Sequence, residues 1–197
     1  MLPANGPILK ALRLPRIMGI THAGEIGANT QLAQLDTALA GGLRLVQIRE
    51  PDLAPAEREA FGRAVIERCR RAGAIALVNG NIELARRIAA DGVHLPGHQM
   101  MTLDSRPDFE WVGAACHTRD ELEKAAGLEL DYALLGAVKP TLTHPERPAL
   151  GWDTFAELVR NLPLPVLALG GMSPEELETA KAAGAHGIAA IRAIWKN

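Results

Sequence analysis

Short apolar runs alternate with longer amphipathic stretches along almost the whole chain. Apolar runs of strand length fall at residues 17–21, 43–50, 74–78, 92–95, 111–115, 132–138, 165–169 and 187–191. Apolar positions at helical spacing lie between them, at 31–40, 55–72, 82–90, 152–161 and from Ser173 to Gly184. A further helix runs from Thr118 to near Gly127. The punctuation agrees with this reading: Gly41 and Gly42 close one helix, Asn79-Gly80-Asn81 makes a turn, and Thr118 to Glu121 and Ser173 to Glu176 have the spacing of capping boxes. Residues 22–29 and 96–99 read as loops, and 102–108 holds at most a short helix. Residues 139–151, with three prolines, form a loop long enough for a lid. Strand–helix units of about 20 to 30 residues predict a parallel α/β fold. Eight of them in so short a chain favour a closed (β/α)8 TIM barrel over a doubly wound sheet, with a last helix that barely begins before Asn197.

Composition narrows the class. The chain has 197 residues, is 48% hydrophobic and carries a formal charge of -2, which predicts one soluble domain with a sizeable core. Residues 1–16 read as an arm or linker, broken by Pro3, Pro7 and Pro15 and without a signal-peptide cleavage pattern, and 17–197 as the barrel. No basic run points to nucleic acid and no apolar run spans a membrane, so a cytoplasmic protein is expected. Cys69 and Cys116 have neither metal-ligand spacing nor a disulfide framework; Cys116 reads as a buried thiol, with a nucleophile as the alternative.

Candidate chemistry gathers at the ends of the apolar runs. In LRLVQIRE (43–50), alternation puts Val46 and Ile48 on one face and Leu45, Gln47 and Arg49 on the other. If the first face meets the helices, Gln47 and Arg49 point into the barrel mouth; the alternative for Arg49 is a structural salt bridge. His94, alone among apolar residues, reads as a packed core histidine. His117 lies between a strand end and a helix start, where a barrel places catalytic residues, or else it is a helix-entry residue bonded to backbone. Gly170 and Gly171 permit a tight turn with close backbone approach. Glu175 and Glu176 crowd the next helix start with negative charge, so an anion is expected between the glycine amides and the turn opening at Arg192, unless the glycines merely turn the chain.

Six stretches in order, VQIRE (46–50), LVNGNIELA (77–85), DGVHLPG (91–97), GAACHTRDEL (113–122), DYALLGAVKPTLTH (131–144) and LALGGMSPEEL (167–177), resemble the thiamine phosphate synthase/TenI superfamily. The resemblance covers nearly the whole chain from Ile17 and implies a (β/α)8 barrel of thiamin biosynthesis with a phosphate site at Gly170, Gly171 and the turn after the last strand. A synthase joins a pyrimidine diphosphate to a thiazole phosphate with magnesium. Here Pro51 replaces a lysine, Gly80 and Gln99 replace two metal-binding aspartates, Ala115 replaces a serine and His144 replaces a lysine. These departures imply no metal cofactor, with Mg2+ expected only for the synthase alternative. TenI is a metal-free thiazole tautomerase, and His117 matches its acid/base.

The expectation from the resemblance is therefore a tautomerase on a thiazole phosphate. His117 is its acid/base, Gln47, Arg49, Asn79, Thr141 and Thr143 bind substrate, and Gly170 and Gly171 hold phosphate; Arg192, where the family usually has serine, is added to the phosphate site from its own charge, which either strengthens anion binding or blocks it. The alternatives are a divergent synthase and a non-catalytic phosphate-ligand module. Residues 2–15 (LPANGPILKALRLP) resemble the linker of fusions with a MutT-type Nudix hydrolase, so a Nudix partner is a further expectation; a homo-oligomer stays open.

Overall fold

The computed structural model describes Lys10, residues 12–141 and residues 148–195. Eight strands, β1 (Ile17–Ile20), β2 (Leu45–Ile48), β3 (Ile75–Asn79), β4 (Gly92–Leu95), β5 (Trp111–Cys116), β6 (Tyr132–Leu135), β7 (Val166–Leu169) and β8 (Gly187–Ala190), close into a barrel in chain order. Every neighbouring pair is parallel, and β1 closes on β8 through Ile17–Ile188 and Met18–Ala189. A parallel sheet needs a crossover after every strand, and helices supply it. They are α1 (Ala23–Ile26), α2 (Ala28–Ala40), α3 (Pro55–Ala72), α4 (Ile82–Arg87), α5 (Gly97–Met101), α6 (Arg119–Gly127), α7 (Gly151–Val159) and α8 (Leu177–Ala182). The molecule is thus the (β/α)8 barrel expected, with a single 3₁₀ turn, Arg192–Ile194, after β8.

Alternation along the strands divides the buried residues into two cores. Outward positions such as Val46, Val78, Val93 and Val112 pack under the helices, while Met18, Leu45, Leu77, Trp111, Tyr132 and Leu167 fill the barrel interior. Leu14, 3% exposed, joins the inner set from below. The arm is tied there: His186 Nε2 donates to the Leu14 carbonyl at 2.9 Å, and the Lys10 ammonium pairs with Asp131 at 2.8 Å over the Trp111 ring. All three contacts lie at the N-terminal ends of strands, so the arm stoppers the pole opposite the mouth.

Several local expectations need correction. Thr118 makes its capping box, accepting from the Glu121 amide at 3.2 Å while Glu121 reaches back. Ser173 makes none: the Glu176 carboxylate instead takes the Lys139 ammonium at 2.7 Å, and the segment begins as a 3₁₀ turn, Pro174–Glu176, before α8. A full charge from the neighbouring loop outbids a neutral amide for that carboxylate. The expected loop at 22–29 contains α1 and the start of α2, and the expected loop at 96–99 opens α5, whereas no helix forms within 102–108. α1 exists because Glu50 accepts from the amides of Ala23 and Gly24 at 2.8 and 2.9 Å, a cap 27 residues away in sequence.

Candidate active site

A cavity of about 830 Å³ opens at the C-terminal ends of the strands. Its β2 wall carries Gln47 and Arg49, as the alternation required. Gln47 is 2% exposed, and its Nε2 has no hydrogen-bond partner among the described residues. The half-buried Arg49 guanidinium makes no ion pair among the described residues, so the expected alternative of a structural salt bridge is not formed there. Asn79, at the end of β3, lines the same wall and is in register with His94 on β4.

His94 is buried as a core histidine would be, and it also lines the cavity. Its Nδ1 meets the Tyr132 hydroxyl at 2.9 Å, with the rings stacked. Burial, then the nearby Arg49 charge, push its pKa down to about 3, so the ring is neutral. Tyr132 reaches it across Gly113, where any Cβ would lie 2.1 Å from the phenol ring. The alternation within GVHL already placed His94 facing the barrel interior, but reading a lone histidine as core obscured its second role.

His117 follows β5 and stands exposed at the rim. Its backbone amide donates to Glu121, and its Nδ1 lies 2.8 Å from the Gly136 carbonyl. A carbonyl only accepts, so Nδ1 carries a proton and donates it there. His117 is thus bonded to backbone at a helix entry, as one of the two expected readings had it, and it stands where the other placed an acid/base. Cys116, beside it in sequence, is buried, and burial followed by the Glu121 charge pushes its thiol up to about 12; it stays protonated and is no nucleophile.

The opposite wall is formed by the ends of β7 and β8. Gly170 and Gly171 have φ of 95° and 64°, and a Cβ on either would come within 2.6 Å of Ala137 or Lys139. The turn is thus held by close packing against the chain after β6. The amides of Gly170, Gly171, Arg192 and Ala193 find no backbone acceptor among the described residues, so donors are available where the anion was expected. Arg192 lines this wall, but its guanidinium grips Glu25 of α1 through both carboxylate oxygens, at 2.7 and 2.8 Å. Glu25 was not foreseen, being 167 residues away in sequence with no local signal. Thr141 lines the rim, whereas Thr143 and His144 lie outside the described residues.

The donor set does not fit a two-carboxylate magnesium site. Gly80 and Gln99 are adjacent, a Cβ on Gly80 falling 4.0 Å from Gln99 Oε1, yet they offer one neutral amide oxygen between them. Glu50 and Glu121, the nearby carboxylates, are spent on capping α1 and α6. No group of three His, Cys, Asp or Glu among the described residues is placed to hold a metal ion.

Residues 17–194 match the family model described as thiamine monophosphate synthase. The chain belongs to the thiamine monophosphate synthase family. This member of the thiamine phosphate synthase/TenI superfamily is 32% identical over 183 residues to the Aquifex aeolicus protein named "Putative thiamine-phosphate synthase 2", covering 91% of this chain and 97% of that one. It is 34% identical over 169 residues to the thiamine-phosphate synthase of Thioalkalivibrio sulfidiphilus, covering 83% and 79%. A solved thiamine phosphate pyrophosphorylase from Pyrococcus furiosus superposes with a TM-score of 0.75 at 23% identity, covering 89% of this chain and 85% of that one, and so shares the fold.

Proposed function

We propose that this family member is a thiamine-phosphate synthase, a transferase that joins a pyrimidine diphosphate to a thiazole phosphate and releases diphosphate. The observation that carries the reading is a mouth with two separate anion-binding walls. Arg49, whose guanidinium makes no ion pair among the described residues, faces one side with Gln47; the Gly170 and Gly171 amides with Arg192 face the other. Two phosphorylated substrates need two such places, and a metal-free proton transfer on one thiazole phosphate needs only one. The names of the relatives support the same reaction. Gly170, Gly171 and Arg192 hold the thiazole phosphate, Gln47, Asn79 and Thr141 position the rings, and Arg49 meets the diphosphate charge.

A second reading, tautomerisation of a thiazole phosphate, is favoured by the place of His117 at the cavity rim and by the missing carboxylates. One assay separates them: thiamin phosphate formation from hydroxyethylthiazole phosphate and the pyrimidine diphosphate, with and without magnesium. Product over many turnovers, lost about 100-fold or more in Arg49→Ala, is expected for the transferase. No product from folded protein that still binds thiazole phosphate overturns it and leaves the tautomerase, for which His117→Ala abolishes turnover but not binding.

A further inference from the structure

The one guanidinium on the wall assigned to phosphate already holds a carboxylate of this chain. Arg192 Nη2 alone makes both contacts to Glu25, at 2.7 Å to Oε1 and 2.8 Å to Oε2, an end-on grip in which Nη1 and Nε take no part. The two side chains are about half exposed, Arg192 at 44% and Glu25 at 54%, so their pairing shifts an equilibrium by only about two- to fivefold. A phosphate at the Gly170 and Gly171 amides, on the same wall, carries more charge and fits the guanidinium fork with two parallel bonds, the stronger arrangement. The ion pair is too weak to be a strut and weak enough to be exchanged.

Glu25 is nevertheless kept close. Its backbone belongs to α1, which is fixed by Glu50 accepting from the Ala23 and Gly24 amides and by the buried Ala23 side chain, while the Glu25 amide donates to the His22 carbonyl at 2.9 Å. Exchange therefore frees a carboxylate and leaves the helix in place. The freed group stays within reach of Arg192, and a competitor tethered in this way never dilutes away.

We propose that Glu25 is a release-promoting residue, a built-in competitor that contests Arg192 with the ligand's phosphate and so limits how long the barrel holds it. The inference rests on the reading of this wall as a phosphate site, and it holds for either reaction above. Both reactions leave that phosphate intact, so a contact to it is made equally to substrate and to product. Such uniform binding lowers KM without raising kcat, and in excess it slows the departure of product. Glu25 trims the excess. It is a positioning residue, acting only through the guanidinium of Arg192.

Phosphorus-31 line shapes of hydroxyethylthiazole phosphate bound to the full chain report its dissociation rate, and four proteins complete the cycle: wild type, Glu25→Gln, Arg192→Ser and the double variant. At low salt Glu25→Gln should slow dissociation about two- to fivefold, and the same substitution in the Arg192→Ser background should change nothing. No slowing, or equal slowing in both backgrounds, overturns the proposal, since a carboxylate acting through the fold or the general field does not need Arg192. In turnover Glu25→Gln should lower KM for the thiazole phosphate with kcat unchanged or lower; a lower kcat/KM marks Glu25 as a support of catalysis and also overturns it. The exposed Glu25 side chain takes no part in the cap of α1, so the variant keeps its fold. If the wild type binds neither hydroxyethylthiazole phosphate nor inorganic phosphate, the phosphate wall itself fails and the proposal with it; binding with unaltered rates sinks the proposal alone.

Discussion

Among single residues, the sharpest contrast is between groups held inert and groups left ready. Cys116 lies one residue from His117, yet burial holds its thiol up near 12 while the imidazole stands exposed at the rim. Thiol reagents at pH 8 should leave Cys116 unmodified in the folded protein and label it on unfolding, which mass spectrometry reads directly. His94 makes stability depend on pH. Its folded pKa of about 3 lies below the usual 6.5, so below pH 6.5 the unfolded chain binds a proton that the folded chain refuses. Stability is full above about pH 6.5 and falls as the pH drops towards 3, by about 2 kcal/mol at pH 5. His186, also depressed by burial, adds loss in the same direction. Urea unfolding of the wild type and of His94→Asn at pH 7.5 and 5 should show a clearly smaller loss in the variant. Arg192 offers a third test: Glu25→Gln frees its guanidinium and should tighten inorganic phosphate several-fold at low salt, with less effect at high salt because the pair is exposed. Unchanged affinity at low salt would remove Arg192 from the phosphate wall.

The elements show how far local pattern reaches. α3 forms from Pro55 to Ala72 at the limits its sequence marks, because proline at its start and Gly73 at φ 64° after its end are signals complete in themselves. The pattern S/T-x-x-E succeeds at Thr118 and fails at Ser173 because only the second glutamate has a lysine from another loop within reach. α1 was illegible for the same reason in reverse, its cap coming from Glu50 after β2. The mouth residues on β2 were legible because period-two alternation is a local property, whereas the Arg192–Glu25 pair and the Tyr132–His94 pair are products of closure. Gly113 tests such a product: its Cβ position is occupied by the Tyr132 ring at 2.1 Å. Gly113→Ala should cost about 3 kcal/mol or more in chemical denaturation and shift the His94 resonances, far beyond the effect of alanine at an exposed glycine such as Gly127, which has open space.

For the molecule as a whole, eight strand–helix units, each too small to bury both faces of its strand, become stable only when the sheet closes. The fold was legible because every unit repeats the same signal. The choice of reaction was less so, since it depends on which charges the closed mouth brings together and on residues that cap helices instead of facing a ligand. The inner core also depends on the arm, since Leu14 fills the barrel below Met18. Leu14→Ala should lower stability by about 2 to 4 kcal/mol without changing the affinity for inorganic phosphate, measured by denaturation and calorimetry on one preparation. Equal stability would show that the plug is superficial.

The placement of that plug has a consequence for traffic. The chain comes in at the pole marked by His186, Asp131 and Leu14, while the mouth opens at the other end of the strands. A Nudix hydrolase joined to the arm, the partner we propose from the linker-like sequence, would therefore sit behind the barrel. Its products would have to diffuse around the molecule, and bulk solvent would be free to compete for them. Such a pairing would coordinate the amounts of two activities without handing a metabolite from one to the other, and an added scavenger of the shared intermediate should intercept it completely.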